Sequence, residues 1–314
     1  MKERTVRQIH AGDLFRRSLF GLMNGKNLAI TRDRIAQTRR WSLSPRNFLY
    51  KDVFLRRRHV WVGVDGQIIW GLVSARRRLS SRVFELDRFY LSPGAEDLVA
   101  YLMERVGTDL SREGVQKIFL RARTADPFME RVDLGGFLPV MAETLYWRNN
   151  DQSVVPNMQR DSPYRLRPIQ PIDALDCFHL YNAVTPLAVR SSYAVTLKQW
   201  RDATDYLSGS VKEFVYESEK GIRGWLRISA RTSQVHFDLV VHPDEIKAMF
   251  PLVQSILESA GAHVGQYCIA PSYAISLRST LEHCGFSPSE EFKVLAKSMT
   301  VRVKIPRLAS VAIG

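Results

Sequence analysis

Long apolar runs and secretory signals are both missing from this chain of 314 residues. No stretch approaches the roughly 18 apolar residues that a membrane-spanning helix needs. Near the start, Arg4, Arg7, Arg16 and Arg17 stand among short apolar pieces without the apolar core of a signal peptide. We therefore expect a cytoplasmic protein with no membrane partner.

Cysteine and metal-ligand patterns are equally scarce. The three cysteines, Cys177, Cys268 and Cys284, form no CxxC pair, and they fit reduced, mostly buried thiols better than disulfides or a zinc site. The seven histidines include His236 and His242 on one predicted strand, but a spacing of six is not typical of a ligand pair. The sequence predicts no metal site.

Positive charge is abundant and unevenly distributed. The net charge is +13, and residues 1–150 hold 27 Lys and Arg against 16 Asp and Glu, whereas residues 151–314 hold 18 against 16. The excess lies in Arg39–Arg40, Arg56–Arg58 and Arg76–Arg78. Such clusters can bind RNA, another polyanion or an anionic cofactor. The alternative is a solvated, arginine-rich face without a ligand.

Two strand-to-helix units dominate the pattern. In Val235–Leu257, an apolar β run stops at Pro243, and apolar residues then recur at helical spacing. Val83–Val106 repeats this plan around Pro93. A strand that runs straight into a helix presents free backbone N–H groups, which suit an anion such as phosphate.

Further matches follow in the same order along the chain. Val6–Ile9 corresponds to Leu166–Ile169, Gly71–Arg76 to Gly224–Arg231, and Gly136–Pro139 to Gly285–Pro288; Asp13 corresponds to Asp173. This order predicts two copies of one domain, each of a common size. We predict domains at residues 1–150 and 160–307, joined by a polar linker at residues 149–163.

Each copy reads as strand, helix, three-strand meander, helix, strand, helix, strand. This order resembles the GCN5-related N-acetyltransferase (GNAT) fold, and Leu281–Phe286 and Val132–Phe137 look like the family's LYEKLGF segment. The tandem plan is similar to mycothiol synthase and to Fem-type aminoacyl transferases. The resemblance implies an α/β (α+β) chain of two tandem GNAT-like domains, each a mixed, mainly antiparallel sheet flanked by helices.

Both copies depart from the family at the turn that binds the acetyl-CoA pyrophosphate. Members use a glycine-rich turn there, but Pro93 is followed by a single glycine, Gly94, and Pro243 by none. Asp244 and Glu245 in the second copy favour the helix dipole and would repel a pyrophosphate.

The catalytic tyrosine of many family members is also missing. Its position holds Leu281 in the second copy and Val132 in the first, and neither side chain can donate a proton. Tyr267 and Tyr273 are close in sequence, where packing is their more typical role.

The candidate site lies in the second copy. His236 and Asp238 alternate onto one face of the strand before Pro243, where they could accept a proton from an amine. Within the resemblance, the backbone of Leu239, Val240 and Val241 would bind acetyl-CoA in a cleft between Val241 and Ala270. A polar stripe facing solvent is the alternative interpretation.

In the first copy, Glu85 and Asp87 occupy the corresponding strand, and we expect that copy to be a degenerate packing partner. The resemblance implies transfer of an acyl group from acyl-CoA to an amine, with at least one inactive copy. Two alternatives stay open. One is a non-catalytic binding or scaffold protein, and the other is a Fem-like protein whose Arg39, Arg40, Trp41 and Arg56–Arg58 contact tRNA.

Overall fold

A computed structural model describes residues 4–23, 26–35, 58–132, 135–149, 165–207, 209–231, 234–261 and 265–299. Its strands are β1 (Thr5–Gln8), β2 (His59–Asp65), β3 (Ile68–Arg77), β4 (Val83–Leu91), β5 (Lys117–Arg123), β6 (Leu138–Arg148), β7 (Arg165–Pro168), β8 (Ser210–Ser218), β9 (Gly221–Arg231), β10 (Gln234–Val241), β11 (Gly265–Pro271) and β12 (Ser287–Ser298). The α-helices are α1 (Arg17–Met23), α2 (Leu98–Arg112), α3 (Met129–Val132), α4 (Ala174–Val184), α5 (Leu187–Tyr193), α6 (Leu197–Ala203), α7 (Ile246–Gly261) and α8 (Ile275–His283). Short 3-10 turns lie at Ala11–Phe15, Arg32–Arg34, Pro171–Asp173 and Pro243–Glu245.

The described strands form one sheet in the order β1-β2-β3-β4-β5-β12-β6-β11-β10-β9-β8-β7. Only β4 with β5 and β10 with β11 run parallel, and the other neighbouring pairs are antiparallel. The order reads the same from either edge when the two halves are exchanged. This symmetry confirms the repeat that the sequence predicts.

The last strands of the two halves are exchanged at the centre of the sheet. β12, from the end of the chain, pairs with β5 of the first half, while β6 pairs with β11 of the second half. Each half therefore completes its sheet only with a strand from the other. The sequence matches do not reveal this exchange. The predicted linker falls almost wholly outside the described residues, and the proposed division near residues 149–163 stays a prediction.

The repeat extends to individual hydrogen bonds. Arg7 holds both carboxylate oxygens of Asp13 at 2.6 and 2.9 Å, and the Asp13 carboxylate accepts the backbone N–H of His10. Arg167 holds Asp173 at 2.7 and 3.0 Å in the same way. In each half, this pair fixes the turn that leads from the first strand into the first helix.

The two faces of the sheet carry different layers. Along β10, Val235, Phe237, Leu239 and Val241 belong to the core beneath α7 and α8. Intervening residues, such as Val240, point toward the aromatic cluster beneath α4–α6. Helices α2 and α3 cover the first half on the α7 side. The layer under α4–α6 contains the charged part of the candidate site.

Both predicted strand-to-helix units are present. β4 lies between β3 and β5, and the chain then turns through Pro93 into α2. β10 lies between β9 and β11 and runs through the turn Pro243–Glu245 into α7. Within the described ranges, no helix has the length and apolar character needed to cross a membrane, and no group of three metal-ligating side chains is assembled.

Candidate functional site

The parallel strands β10 and β11 separate halfway along their length. They pair from Gln234 opposite Gly265 to Phe237 opposite Cys268 and then diverge. A cavity of about 290 Å³ occupies the opening and extends to the start of α7 and the start of α8. Its lining includes Leu239, Val240 and Val241.

The ladder with β9 determines which backbone groups face this opening. His242 N–H donates to the Arg223 carbonyl at 2.9 Å, continuing the antiparallel register of β10. Hydrogen-bonded pairs in such a ladder occur at every second residue, so the Val240 groups point toward β9. The N–H and C=O groups of Leu239 and Val241 therefore point toward the cavity.

A second cavity adjoins the first on the α4–α6 side of the sheet. Its volume is about 110 Å³, and the side chains that it shares with the first cavity include Tyr181, Pro271 and Tyr273. Aromatic side chains, including Trp200 and Trp225, form its walls. Charged side chains form its floor, and they include Arg32, Glu143, Asp205, Arg227 and Asp238. The two cavities therefore meet at these shared side chains.

The two predicted catalytic residues are neighbours on this face. His236 Nε2 lies 3.0 Å from Asp238 Oδ1, and both side chains are buried. The His236 ring stacks on Tyr267 with centroids 4.8 Å apart. Asp238 lines the second cavity, whereas His236 lies behind it. The pair is thus brought together as the alternation of β10 predicts, while its catalytic role stays a prediction.

Asp238 also belongs to a buried ion-pair network. Arg32 Nε donates to its Oδ1 at 2.8 Å, and an Arg227 guanidinium nitrogen lies 3.6 Å from its Oδ2. Burial alone would raise the pKa of Asp238, but the charges of Arg32, His236 and Arg227 outweigh burial and hold it well below its usual range. Asp238 is therefore a carboxylate at neutral pH and a weak base.

Arg32 connects the network to the exchanged strands. Its guanidinium donates to Glu143 on β6 at 3.0 Å, to Asp205 at 3.3 Å and to the Ile269 carbonyl at 3.1 Å. Burial opposes the charged form, yet three carboxylates keep the pKa of Arg32 well above its ordinary value. An arginine of the first half is therefore part of the floor of the second half's cavity.

Two arginines of the Arg76–Arg78 cluster, Arg76 and Arg78, are held in buried ion pairs, whereas Arg77 is exposed as the solvated-face alternative predicts. Arg76 Nε lies 2.6 Å from Glu85, and Arg78, whose side chain is 2% exposed, lies 2.7 Å from Asp205. Both guanidinium groups compensate buried carboxylates because the alternation of β3, which continues at Arg78 just after the strand, points them into the same layer as Glu85. Neither is accessible to a polyanion.

The other residues of the RNA hypothesis, Arg39, Arg40, Trp41, Arg56 and Arg57, lie outside the described residues. Arg58 is described, and its guanidinium lies 2.9 Å from the buried Asp87 carboxylate.

In the first half, the corresponding opening between β4 and β5 is filled by the chain itself. Phe89 and Leu239 each lie four residues before the proline of their unit. Phe89 N–H donates to Asn27 Oδ1 at 2.8 Å, and Leu28 N–H donates to the Phe89 carbonyl at 2.8 Å. The segment Asn27–Ile30 then reaches β5, where Ile30 N–H donates to the Arg121 carbonyl. It thus takes up backbone groups whose counterparts face a cavity in the second half.

The predicted departures at the helix start and at the tyrosine position have clear structural counterparts. The Asp244 side chain is 80% exposed beside His242, whose ring accepts the Asp244 N–H. Leu281 and Val132 are fully buried in the two cores. Tyr267 packs against His236, but Tyr273 lines both cavities.

Comparison by sequence alone finds no matching family model and no matching curated protein. Comparison by structure finds a GCN5-related N-acetyltransferase from Sphaerobacter thermophilus, with a TM-score of 0.53 and 11% identity over 96% of this chain and 98% of that one. A tandem GNAT protein from the clavulanic acid biosynthesis pathway has a TM-score of 0.51 and 13% identity over 96% and 100% of the two chains. The chain therefore has the tandem GNAT fold, as the sequence predicts.

Sequence reasoning missed three parts of the site. They are the Arg32 network, the segment that fills the first opening, and the position of Tyr273 between the cavities. No motif marks Arg32 or Asn27, since each acts through contacts far along the chain. The only available signal for Tyr273 was its place just after β11, at the edge of the predicted cleft.

Proposed function

We propose that this protein is an N-acyltransferase whose second half transfers an acyl group from acyl-CoA to an amine. The cavity between β10 and β11 would hold the donor, with acetyl-CoA as the simplest case, and the adjoining cavity would hold the acceptor. The observation that carries this proposal is the shared wall of the two cavities at the strand opening.

The donor would bind mainly through its pantetheine arm. Beyond the end of the β10–β11 ladder, Leu239 and Val241 direct backbone N–H and C=O groups into the first cavity, and these groups complement the amides of pantetheine. The glycine turn for the pyrophosphate is missing, and Asp244 and Glu245 occupy the start of the helix. Such acids disfavour a phosphate nearby. We therefore expect micromolar rather than nanomolar affinity for acetyl-CoA.

Asp238 and His236 would act together on the acceptor. The Asp238 carboxylate faces the acceptor cavity and would accept a hydrogen bond from the amine nitrogen, which orients it toward the thioester. His236, 3.0 Å behind Asp238, would hold that carboxylate in position, and the proton that the amine loses on attack would pass through Asp238 to water.

The first half would be inactive. Acyl-CoA could bind there only if Asn27–Ile30 left the opening, which would break the hydrogen bonds of Phe89 and the packing of Ala29 in the core. Each such bond contributes about 0.5–1.5 kcal/mol, and an orphaned buried partner costs more. The filled opening supports one donor site per chain.

A thiol-release assay over a panel of primary amines tests the function. With acetyl-CoA as donor, wild type should release CoA thiol in an amine-dependent manner, and Asp238→Asn and His236→Ala should lower turnover by about 10²-fold or more. Glu85→Gln is the matched control, because Glu85 is a buried strand carboxylate of the first half. It should retain turnover once its folding is verified.

A non-catalytic binding or scaffold protein is the competing possibility. Acetyl-CoA binding without amine-dependent release of thiol across the panel would favour it. Loss of turnover in Glu85→Gln but not in Asp238→Asn would place the active copy in the first half.

A further inference from the structure

An acid that protonates the departing sulfur accelerates acyl transfer, and the usual position cannot provide one. When an amine displaces CoA, the C–S bond breaks and the sulfur leaves as a thiolate unless a proton is delivered. Leu281 and Val132 occupy the tyrosine positions of the two halves, and both are buried hydrocarbon side chains. Any proton donor that the protein supplies to the sulfur is therefore a different residue.

Two tyrosines line both cavities of the second half: Tyr181 on α4 and Tyr273 between β11 and α8. A group on this shared wall lies where a donor thioester and an acceptor amine would meet. The Tyr181 hydroxyl is directed toward the Ala194 carbonyl, 3.4 Å away. Its proton thus points away from the junction and into the layer of α5.

Other hydroxyl groups in the acceptor cavity are already committed to backbone carbonyls. Tyr193 donates to the Ala203 carbonyl at 2.8 Å, and Thr204 Oγ1 donates to the Trp200 carbonyl at 2.9 Å. Ser276 lines the donor cavity but not the acceptor cavity. Among the described residues, Tyr273 is the hydroxyl that combines a place on the shared wall with a proton not directed to a carbonyl.

The surroundings of Tyr273 keep it protonated. Burial raises the pKa of its phenol, a hydrogen bond with Thr185 acts in the opposite direction, and the Glu143 carboxylate adds to the rise. The Tyr273 hydroxyl thus meets the Thr185 side chain rather than a backbone carbonyl.

We propose that Tyr273 is the general acid of the second half and takes the role that Leu281 cannot perform. The amine nitrogen attacks the thioester carbon, the C–N bond forms, and the C–S bond breaks. Tyr273 gives its proton to the sulfur, so CoA leaves as a neutral thiol, and the proton that the amine loses passes through Asp238 to water. Proton exchange with water then restores Tyr273. This assignment rests on the proposed acyltransferase function.

Tyr273→Phe tests the assignment with two acyl donors. One donor is acetyl-CoA; the other is the acetyl thioester of 4-nitrothiophenol, whose thiolate is stable enough to leave without an acid. With acetyl-CoA, we expect kcat to fall by about 10²-fold or more while the calorimetric Kd for acetyl-CoA stays within threefold. With the activated thioester, the ratio of wild-type to variant rates should return to within about threefold.

Tyr90→Phe is the matched control, since Tyr90 is a buried tyrosine of the first half. It should match wild type with both donors. Equal kcat for wild type and Tyr273→Phe with acetyl-CoA would overturn the assignment and leave the acyltransferase function standing. An equal loss with both donors would also overturn it, because only a structural role would be left. Absence of transfer by wild type with either donor would refute the function itself.

Discussion

Replacing Arg32 with methionine tests whether the charged network fastens the two halves together. Arg32 lies in the first half of the sequence, but its guanidinium contacts Glu143, Asp205 and Asp238 beneath the exchanged strands. Methionine keeps an unbranched chain of similar length and removes the charge. The substitution leaves three carboxylates, none more than 11% exposed, with fewer cations.

The remaining contacts set the size of the effect. Asp205 keeps Arg121 at 2.8 Å, Glu143 keeps Arg121 at 2.7 Å, and Asp238 keeps only the more distant Arg227 and His236. Removing one partner of a buried ion pair costs about 3–5 kcal/mol. Because each carboxylate retains a partial partner, we expect the lower end, about 3 kcal/mol of unfolding free energy.

Urea unfolding followed by circular dichroism measures this loss. Arg123→Met is the matched control: Arg123 pairs with Glu290 at 2.8 Å, but the two side chains are 31% and 41% exposed. An exposed pair contributes about 0–1 kcal/mol. If Arg32→Met loses no more stability than Arg123→Met, the network does not hold the halves together and the reasoning fails.

Three further predictions concern the first half. Asn27→Ala orphans the buried Phe89 N–H and removes a donor to the Asp87 carbonyl, so it should lower the unfolding free energy by about 1–3 kcal/mol in urea without changing the second half's affinity for acetyl-CoA. Although burial acts in the opposite direction, the hydrogen bonds from Arg7 lower the pKa of the Asp13 carboxyl to about 2. The ion pair should add about 2 kcal/mol to the unfolding free energy above pH ~4, and this contribution should be lost as pH falls toward 2. Asp13→Asn should lack the contribution at neutral pH. A Cβ at Gly135 would lie 2.4 Å from Met103 Cβ, whereas one at Gly12 meets nothing within 4 Å, so Gly135→Ala should cost about 1–3 kcal/mol and Gly12→Ala almost nothing in thermal unfolding.

The tandem fold could be predicted because its signals are local. A strand that ends at a proline and is followed by apolar residues at helical spacing identifies β10 and α7 without any distant contact. Matching elements in matching order then reveal the repeat, and the Arg7–Asp13 and Arg167–Asp173 pairs reproduce it in detail.

The exchange of β6 and β12 leaves no comparable signal. Both strands have the same period wherever they pair, so alternation places their side chains on a face but does not select the neighbouring strand. For the same reason, Glu143 reads as an ordinary strand residue although it is buried beside Arg32.

Part of the site also follows from local pattern. Period-two alternation places His236 and Asp238 together, and the end of the β10–β11 ladder places the cavity beside Leu239. The low pKa of Asp238 depends on Arg32, which lies more than 200 residues away along the chain. The filling of the first opening depends on Asn27, which lies about 60 residues from its partner Phe89. Such pairings are products of the tertiary fold, and composition cannot show them.

The number of acetyl-CoA molecules bound per chain tests the central claim most directly. Isothermal titration of wild type should give one site of micromolar affinity, and Ala274→Trp, which fills the cavity between β10 and β11, should abolish it. Ala188→Trp, on the exposed side of α5, should leave binding unchanged. Two sites per chain, an unaltered site in Ala274→Trp, or no heat at millimolar acetyl-CoA would contradict a single donor site in the second half.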